Sequence, residues 1–369
     1  VSGPLRERKE LEVTLDANHP EYKESEGHMR CMASCNRIVL IALALVGTFA
    51  SQPLASEGSP TLTKLPGTIE TSNTMETTPI LYHGQQFLLE NYRDGNTASL
   101  YQRLKNLTTG GYSTAFGNGF SLGCAYVDGD QINVFASKAT SDWFSNIYRF
   151  TSTNGVDWST PTLAVPRSNE HLLNSSVCKD KQGYIMAYES DNPVSFCFKF
   201  ARSTDLATWT KLDVPTFAGP KGNEYSACPT IRYSGGYYYT LYLAQAQLAD
   251  GQNGHVTKIA RSKDLTTWEY GLTPVLVPSE GEGTNNSDVD MFEIDNKTYL
   301  YYAIGDQQTW CHVKKAVYDG PMSEFLAGYF PAHAPEPGAW PLLTTGLLGL
   351  LTYAWRKRHS RKEMLKTNT

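Results

Sequence analysis

Four acidic side chains, Glu76, Glu224, Asp288 and Asp290, stand at or just ahead of apolar, strand-like runs. Carboxyl groups that meet across a pocket can act as acid and base, provided that one is held protonated and the other ionised. Asp288 and Asp290 are two residues apart, which in a strand puts both on one face. Each of the four could instead accept N–H groups of a turn or pair with Arg or Lys. Asn174, Asn286 and Tyr225 offer hydrogen bonds to a polyhydroxylated ligand, and Trp143 and Trp310 offer flat apolar faces, although either Trp would serve equally well in sheet packing. His171 is a further acid or hydroxyl donor, against the plainer reading of a lone loop histidine.

The elements that must position these groups form a repeat. Five times an apolar run enters a tight polar turn and returns as an aromatic or β-branched run, the signature of a hairpin. The turns centre on Gly84, Gly129, Gly183, Gly235 and Asn296, at intervals of 45, 54, 52 and 61 residues. Each interval holds four strands and their connections, one blade of a propeller. A second repeat keeps step with the first: Ser152-Thr-Asn-Gly-Val-Asp-Trp158, Ser203-Thr-Asp-Leu-Ala-Thr-Trp209 and Ser262-Lys-Asp-Leu-Thr-Thr-Trp268. Its Ser and Asp or Asn suit a turn whose N–H groups need acceptors, and its Trp anchors an outer strand. Asp205 and Asp264 are therefore structural. The expected fold is all-β, a five-bladed β-propeller over residues 75–331. Six-bladed propellers, sandwiches and α/β folds fit the repeat less well.

The five hairpins together with the Ser-x-Asp-Leu-x-x-Trp turn resemble the furanosidase-type superfamily of glycoside hydrolases, which includes families 43 and 32. Asn285-Asn-Ser-Asp-Val-Asp-Met-Phe-Glu-Ile, Asn174-Ser-Ser-Val-Cys-Lys and Tyr225-Ser-Ala-Cys-Pro resemble a bacterial group within it. The resemblance implies that functional groups come from the starts of the innermost strands: Glu76 to Pro79, Phe120 to Gly123, Asn174 to Val177, Glu224 to Cys228 and Asn285 to Asp290. It also implies hydrolysis by two carboxyls across a glycosidic bond. The chain departs from the family where the first blade has Thr78 before Pro79 in place of Asp, and where the second and third blades are neutral. The expected pair is Asp288 or Asp290 with Glu76, neighbours across the closing blades, with Glu224 as the alternative acid. The competing expectation is a propeller that binds carbohydrate, or adheres to a protein, without catalysis.

Aromatic residues make up 12% of the chain, with 22 Tyr, against 19% charged residues, as befits a β-rich exported protein. A formal net charge of −5 and no basic cluster in the central region exclude a nucleic-acid partner. Arg30 and Arg37 precede the apolar run Ile38 to Ala50 and a small-residue stretch, a secretory signal at 29–55, with 1–28 as an upstream segment and 56–74 as a linker. At 332–369, Pro335-Glu336-Pro337, the apolar stretch Ala339 to Trp355 and the basic Arg356-Lys357-Arg358 resemble a PEP-CTERM sorting tail. Such a tail implies a single apolar helix in the membrane, a sorting protease as partner, and a final place on the surface or in the matrix of a Gram-negative bacterium. Cys124, Cys178, Cys197, Cys228 and Cys311 would remain after signal removal. They show no CxxC spacing and suit the role of small buried hydrophobes. No cofactor is expected. An axial Ca²⁺ belongs to some enzymes of this fold, but no EF-hand-type motif stands here.

Overall fold

The computed structural model describes residues 58–69, 75–93 and 99–331. The expected signal, upstream segment and sorting tail lie outside the described residues. Among those described, no helix is long and apolar enough to cross a membrane.

The strands are β1 (Thr63–Lys64), β2 (Thr77–Tyr82), β3 (Gln85–Tyr92), β4 (Tyr101–Asn106), β5 (Phe120–Asp128), β6 (Gln131–Thr140), β7 (Trp143–Ser152), β8 (Thr162–Val165), β9 (Leu172–Asp180) and β10 (Gly183–Ser190). They continue as β11 (Cys197–Ser203), β12 (Thr210–Lys211), β13 (Ala227–Ser234), β14 (Tyr237–Gln247), β15 (Asn253–Ser262), β16 (Glu269–Tyr270), β17 (Asn285–Ile294), β18 (Lys297–Gly305) and β19 (Cys311–Tyr318). One short helix, α1 (Met322–Ala327), follows.

Pairing runs in antiparallel meanders, β2-β3-β4, β5-β6-β7-β8, β9-β10-β11-β12, β13-β14-β15-β16 and β17-β18-β19, the last two joined into one sheet by a parallel contact of β15 with β17, His255 opposite Asn285. β1 adds to the outer edge of the last, Thr63 opposite Val317. The first hairpin of each meander turns at its expected place. His83-Gly84, Gly235-Gly236 and Asp295-Asn296 all have positive φ at both central residues, the conformation that matches the twist of a hairpin.

Apolar clusters fill the spaces between successive meanders. Ile80 and Leu104 meet Val134 and Phe150, Phe135 and Ile147 meet Met186 and Trp209, and Ile185 and Phe198 meet Ile231 and Tyr242. Leu241 and Ile259 meet Met291 and Tyr302. Leu88 then meets Phe292, Tyr301 and Val313, which joins the last meander back to the first. The sheets thus follow one another around a closed circuit with their first strands innermost. That arrangement leaves few open sheet edges.

Thr63–Lys64 falls within the segment expected to be a linker. Its two residues are too few for any periodic signal, yet Lys64 forms an ion pair with the buried Glu282 and hydrogen-bonds Asn286 Oδ1 at 2.8 Å. Lys314 reaches the other Glu282 oxygen at 2.9 Å and Tyr302 donates to it at 2.9 Å. These contacts clasp the early segment onto the last meander.

The Ser-x-Asp/Asn turns have the expected mechanics. Asp205 Oδ1 accepts the N–H groups of Ala207 and Thr208 at 2.9 and 2.8 Å. Asp264 does the same for Thr266 and Thr267, both at 2.8 Å. Trp209 is buried between two sheets.

Candidate active site

The innermost strands β2, β5, β9, β13 and β17 surround a narrow shaft lined by Glu76, Asn174, Cys228, Thr230, Asp288 and Asp290. Its volume of about 30 Å³ has room for a water-sized group but none for a sugar ring. Any carbohydrate must therefore sit above it, at the end where the inner strands begin. Asp290 and Arg232 form an ion pair deep in the shaft. Beyond them a wider cavity of about 370 Å³ opens at the other end, lined by Leu81, Tyr126, Lys179, Tyr233 and Met322.

Three of the inner strands carry the same irregularity at the same height. The ladder register shifts between Ser121 and Cys124, between Ala227 and Thr230, and between Ser287 and Asp290. Within these bulges Leu122, Cys228 and Asp288 have φ of 57°, 52° and 50°. A bulge re-aims its side chain and takes backbone groups out of the ladder. Gly123 has a further reason to be glycine, because a Cβ there would come within 2.9 Å of the Phe135 carbonyl oxygen. At Cys228 the freed N–H donates to Glu189 Oε2 at 2.7 Å. Pro229, which has no N–H to offer a ladder, follows directly.

Glu189, near the end of β10, is the residue that sequence reasoning missed. It is 1% exposed, and its carboxyl is pushed up to about 7 by burial, and further by the nearby charges of Asp288 and Glu76, against the donors Cys228 N–H and Asn174. Asn174 Nδ2 donates to the same Oε2 at 3.1 Å. With both donors on Oε2, the proton of the neutral form belongs on Oε1. Asp288 is also raised, first by burial and then by Glu76, against hydrogen bonds from Cys228 and Ser287 and the charge of Arg93. Glu76 forms an ion pair with Arg93. Glu76 in turn raises the Arg93 guanidinium, with Asp288 adding to it against burial. Three carboxyls and one guanidinium thus share one desolvated mouth, which is how strongly perturbed groups cluster at functional sites.

Of the four expected carboxylates, the structure brings Glu76 and Asp288 together. Asp290 is bound instead to Arg232 and to the N–H of Met291 at 2.7 Å; the bulge sets it deeper than Asp288, so alternation along one face does not deliver both to the mouth. Glu224 also lies apart. It is partly exposed and pairs with Lys221 at 3.3 Å on the surface.

The expected ligand-binding residues divide similarly. Asn174 touches Glu189 and Cys228 Sγ, the latter at 3.3 Å. The phenol of Tyr225 is raised by burial and, through space, by Cys228, Glu189 and Asp288. Asn286 is fully buried in the Lys64–Glu282 clasp and does not face the mouth. Trp310 is 39% exposed, with His312 beside its ring. His171 Nδ1 hydrogen-bonds Asp191 Oδ2 at 2.5 Å, and its ring lies beside Trp143. None of the described cysteines forms a disulfide. Cys228 is no mere hydrophobe, however, since its thiol is held protonated by burial and by the neighbouring carboxylates. Among the described residues no group of three His, Cys, Asp or Glu side chains is arranged to hold a metal ion.

No protein-family model matches the sequence, and no curated protein matches it. Solved structures do match by shape. A thermostable family-43 glycoside hydrolase aligns at TM-score 0.54 and 12% identity over 75% of this chain and 99% of that one. A second structure, described as a glycoside hydrolase, aligns at TM-score 0.53 and 13% identity over 76% and 96% of the two chains. The Bombyx mori GH32 beta-fructofuranosidase BmSUC1 aligns at TM-score 0.50 and 17% identity over 70% of this chain. This chain spans 62% of the length of that enzyme. The class these likenesses define is a fold class: an all-β chain folded like the propeller glycoside hydrolases. The resemblance read from the hairpins and the Ser-x-Asp turns agrees with it.

Proposed function

We propose that the chain is a five-bladed β-propeller glycoside hydrolase acting on an oligosaccharide or polysaccharide. The observation that carries the reading is the convergence of Glu189, Asp288 and Glu76 at one mouth, with Glu189 held up at about 7. A carboxyl protonated near neutrality beside an ionised one is the acid–base arrangement that cleavage of a glycosidic bond needs.

In this scheme the scissile bond lies above the shaft. Glu189 donates its Oε1 proton to the leaving oxygen, and the carboxylate so formed is stabilised by the Cys228 N–H and Asn174. Asp288, oriented by the Ser287 hydroxyl, is the ionised partner: it either displaces the leaving oxygen itself, water later releasing the sugar, or deprotonates the water that does so. In both cases the water oxygen ends on the anomeric carbon and its proton on a carboxyl. Glu76, fixed by Arg93, holds negative charge beside the developing oxocarbenium ion. Tyr225 and Asn174 contact the sugar at the cleavage point. No cofactor enters the scheme.

Export and display at the surface of a Gram-negative cell are part of the proposal, with a sorting protease as partner for the Pro-Glu-Pro tail. The support is the positive, apolar and small segments in order near the start, and Pro-Glu-Pro, an apolar stretch and a basic cluster in order near the end. Fractionation of cells expressing the full chain, compared with a variant cut before Pro335, checks this part: retention of the full chain in the cytoplasm overturns it.

The catalytic part is tested by sugar release from a panel of polysaccharides. Release by the native chain, lost on Glu189→Gln and on Asp288→Asn, supports it. If glycans bind but none is cleaved, the chain is a carbohydrate-binding propeller.

A further inference from the structure

The β6–β7 hairpin carries a feature that packing does not explain. Trp143 is 42% exposed, and its φ of 114° is a conformation that side-chain-bearing residues rarely adopt. Residues persist in such a state when their surroundings over-determine them, and these cluster where ligands are held. The surroundings here do so. Thr140 Oγ1 donates to Asp142 Oδ1 at 2.5 Å, and Arg167 Nη2 to Asp142 Oδ2 at 3.0 Å. The Arg167 backbone N–H is fixed in turn by Asn146 Oδ1 at 2.7 Å. His171, anchored on Asp191, lies with Nε2 3.8 Å from Asp142 Oδ2. The hairpin tip is braced from three sides, and what it presents to solvent is an indole.

The indole is also connected to the carboxyls. Its ring meets Phe196 edge-on at a centroid distance of 6.2 Å. Phe196 lies 4.9 Å from Tyr225, which stands three residues before Cys228, whose N–H reaches Glu189 Oε2 at 2.7 Å. An aromatic wall thus runs outward from the proposed cleavage point to Trp143. Beside its outer end the Asp142 carboxylate, 54% exposed, and the Arg167 guanidinium, 33% exposed, offer an acceptor and donors to hydroxyl groups. A flat apolar face flanked by a carboxylate and a guanidinium fits a sugar ring, whose C–H face is apolar and whose edge is hydroxylated.

We propose that Trp143, with Asp142 and Arg167, forms a second sugar subsite that holds a residue of the glycan beyond those at the cleavage point, so that the site takes oligosaccharides rather than single glycosides. The proposal rests on the hydrolase reading for its position along the substrate. It differs from that reading in predicting how the protein responds to chain length.

The test uses the full chain and fructo-, arabino- and xylo-oligosaccharides of two to six units, with 4-nitrophenyl glycosides of the same sugars as the shortest probes. Trp143→Gly removes the ring and suits the backbone, since glycine accepts positive φ without strain, so the variant keeps the fold. Its melting temperature checks that directly. The expected result is turnover of the 4-nitrophenyl glycoside within about twofold of native, and a loss in kcat/KM of roughly 10-fold or more on the longer members, in line with the contribution of a ring stacked on an exposed aromatic. Trp143→Phe restores part of it, and Arg167→Ala, which loosens the tip, loses part. Equal loss at every length, or none at any length, overturns the subsite. Binding of the same oligosaccharides to the Asp288→Asn variant by calorimetry separates the two proposals. Affinity that rises with length and is flattened by adding Trp143→Gly supports the subsite even if no substrate is cleaved. Absence of binding at every length overturns both.

Discussion

The two ends of the shaft use the same residue types for opposite work. At the end where the hairpins turn, Asp205 and Asp264 accept backbone N–H groups, and these hydrogen bonds hold their carboxyls below the usual range. At the mouth, Glu189 and Asp288 are desolvated among other carboxyls and are held above it. A carboxylate with several donors is a structural acceptor, whereas one denied solvent beside like charges is poised to move a proton. The backbone divides the same way. The hairpin turns use mainly Gly, Asn and Asp at positive φ, with His83 in the first and Leu206 and Leu265 in the Ser-x-Asp turns, while the mouth has Leu122, Cys228, Asp288 and Trp143 there.

The largest break in this comparison is Glu189→Gln. If Glu189 is the acid, kcat/KM falls by a factor on the order of 10²–10⁴, measured on any cleaved glycoside with a poor leaving group. Asp205→Asn, at the other end, leaves kcat/KM within twofold. The pH dependence has a sign as well. Activity of the native chain declines as pH rises through about 7, where Glu189 loses its proton, and the acidic limb belongs to Asp288. Stability responds to Glu189 in the same sense, because a raised carboxyl favours the folded state while neutral. That contribution is complete below the ordinary value of 4.5 and is lost as pH rises from there through about 7. Asp205, whose carboxyl is lowered, contributes stability above its ordinary value of 3.8 and loses it as acid protonates it. Melting temperatures between pH 2 and 8, compared with those of Glu189→Gln and Asp205→Asn, check both signs.

Next in size is the pair that separates the two ends. Arg232→Ala leaves Asp290 buried without its partner, a change that costs about 3–5 kcal/mol in denaturant unfolding. Replacing both, Arg232→Met with Asp290→Leu, is expected to recover most of that loss, because an apolar pair of similar volume needs no compensating charge. If Asp290 were the catalytic acid instead, the double variant would be inactive although folded.

A smaller effect belongs to the turns. Asp205→Ala removes the acceptor for two N–H groups, a loss of about 1 kcal/mol by analogy with helix caps. Glycan turnover is unchanged, since the turn lies at the far end from the mouth.

How much of this could be read from the residues follows the same division. The hairpins and Ser-x-Asp turns were legible because their chemistry is local: a turn of a given type needs particular residues at fixed positions. Asp288 and Glu76 were legible as charges placed ahead of apolar strands. Glu189 was not, since it lies on a second strand, whereas the family resemblance points to the starts of the first strands. Its one signal was a carboxyl at the end of the apolar run Tyr184-Ile-Met-Ala-Tyr188, where burial would be costly without a purpose. Arg93 and the pairing of β1 depend on contacts distant in sequence and left no local trace. One of the bulges did leave one. Pro229 inside strand β13 marks an interruption of the ladder there and points to Cys228; β17 has no proline at its bulge, so the alternation assumed for Asp288 and Asp290 had nothing local to correct it.

The finest test of the comparison is Cys228 itself, because its N–H and thiol act on two carboxyls in different ways. The N–H bond to Glu189 belongs to the backbone and survives substitution. The thiol is a donor that favours the ionised form of Asp288, so Cys228→Ala raises the Asp288 carboxyl further and moves the acidic limb of the kcat/KM profile to higher pH, by less than about one unit for loss of one weak donor. Cys228→Ser, which keeps a donor of similar reach, leaves the limb near its native place. The alkaline limb, set by Glu189, moves in neither variant. An acidic limb that stays fixed in Cys228→Ala, with activity otherwise retained, means that Asp288 is not the group whose ionisation the reaction requires, and the ionised role then passes to Glu76 and its Arg93 partner.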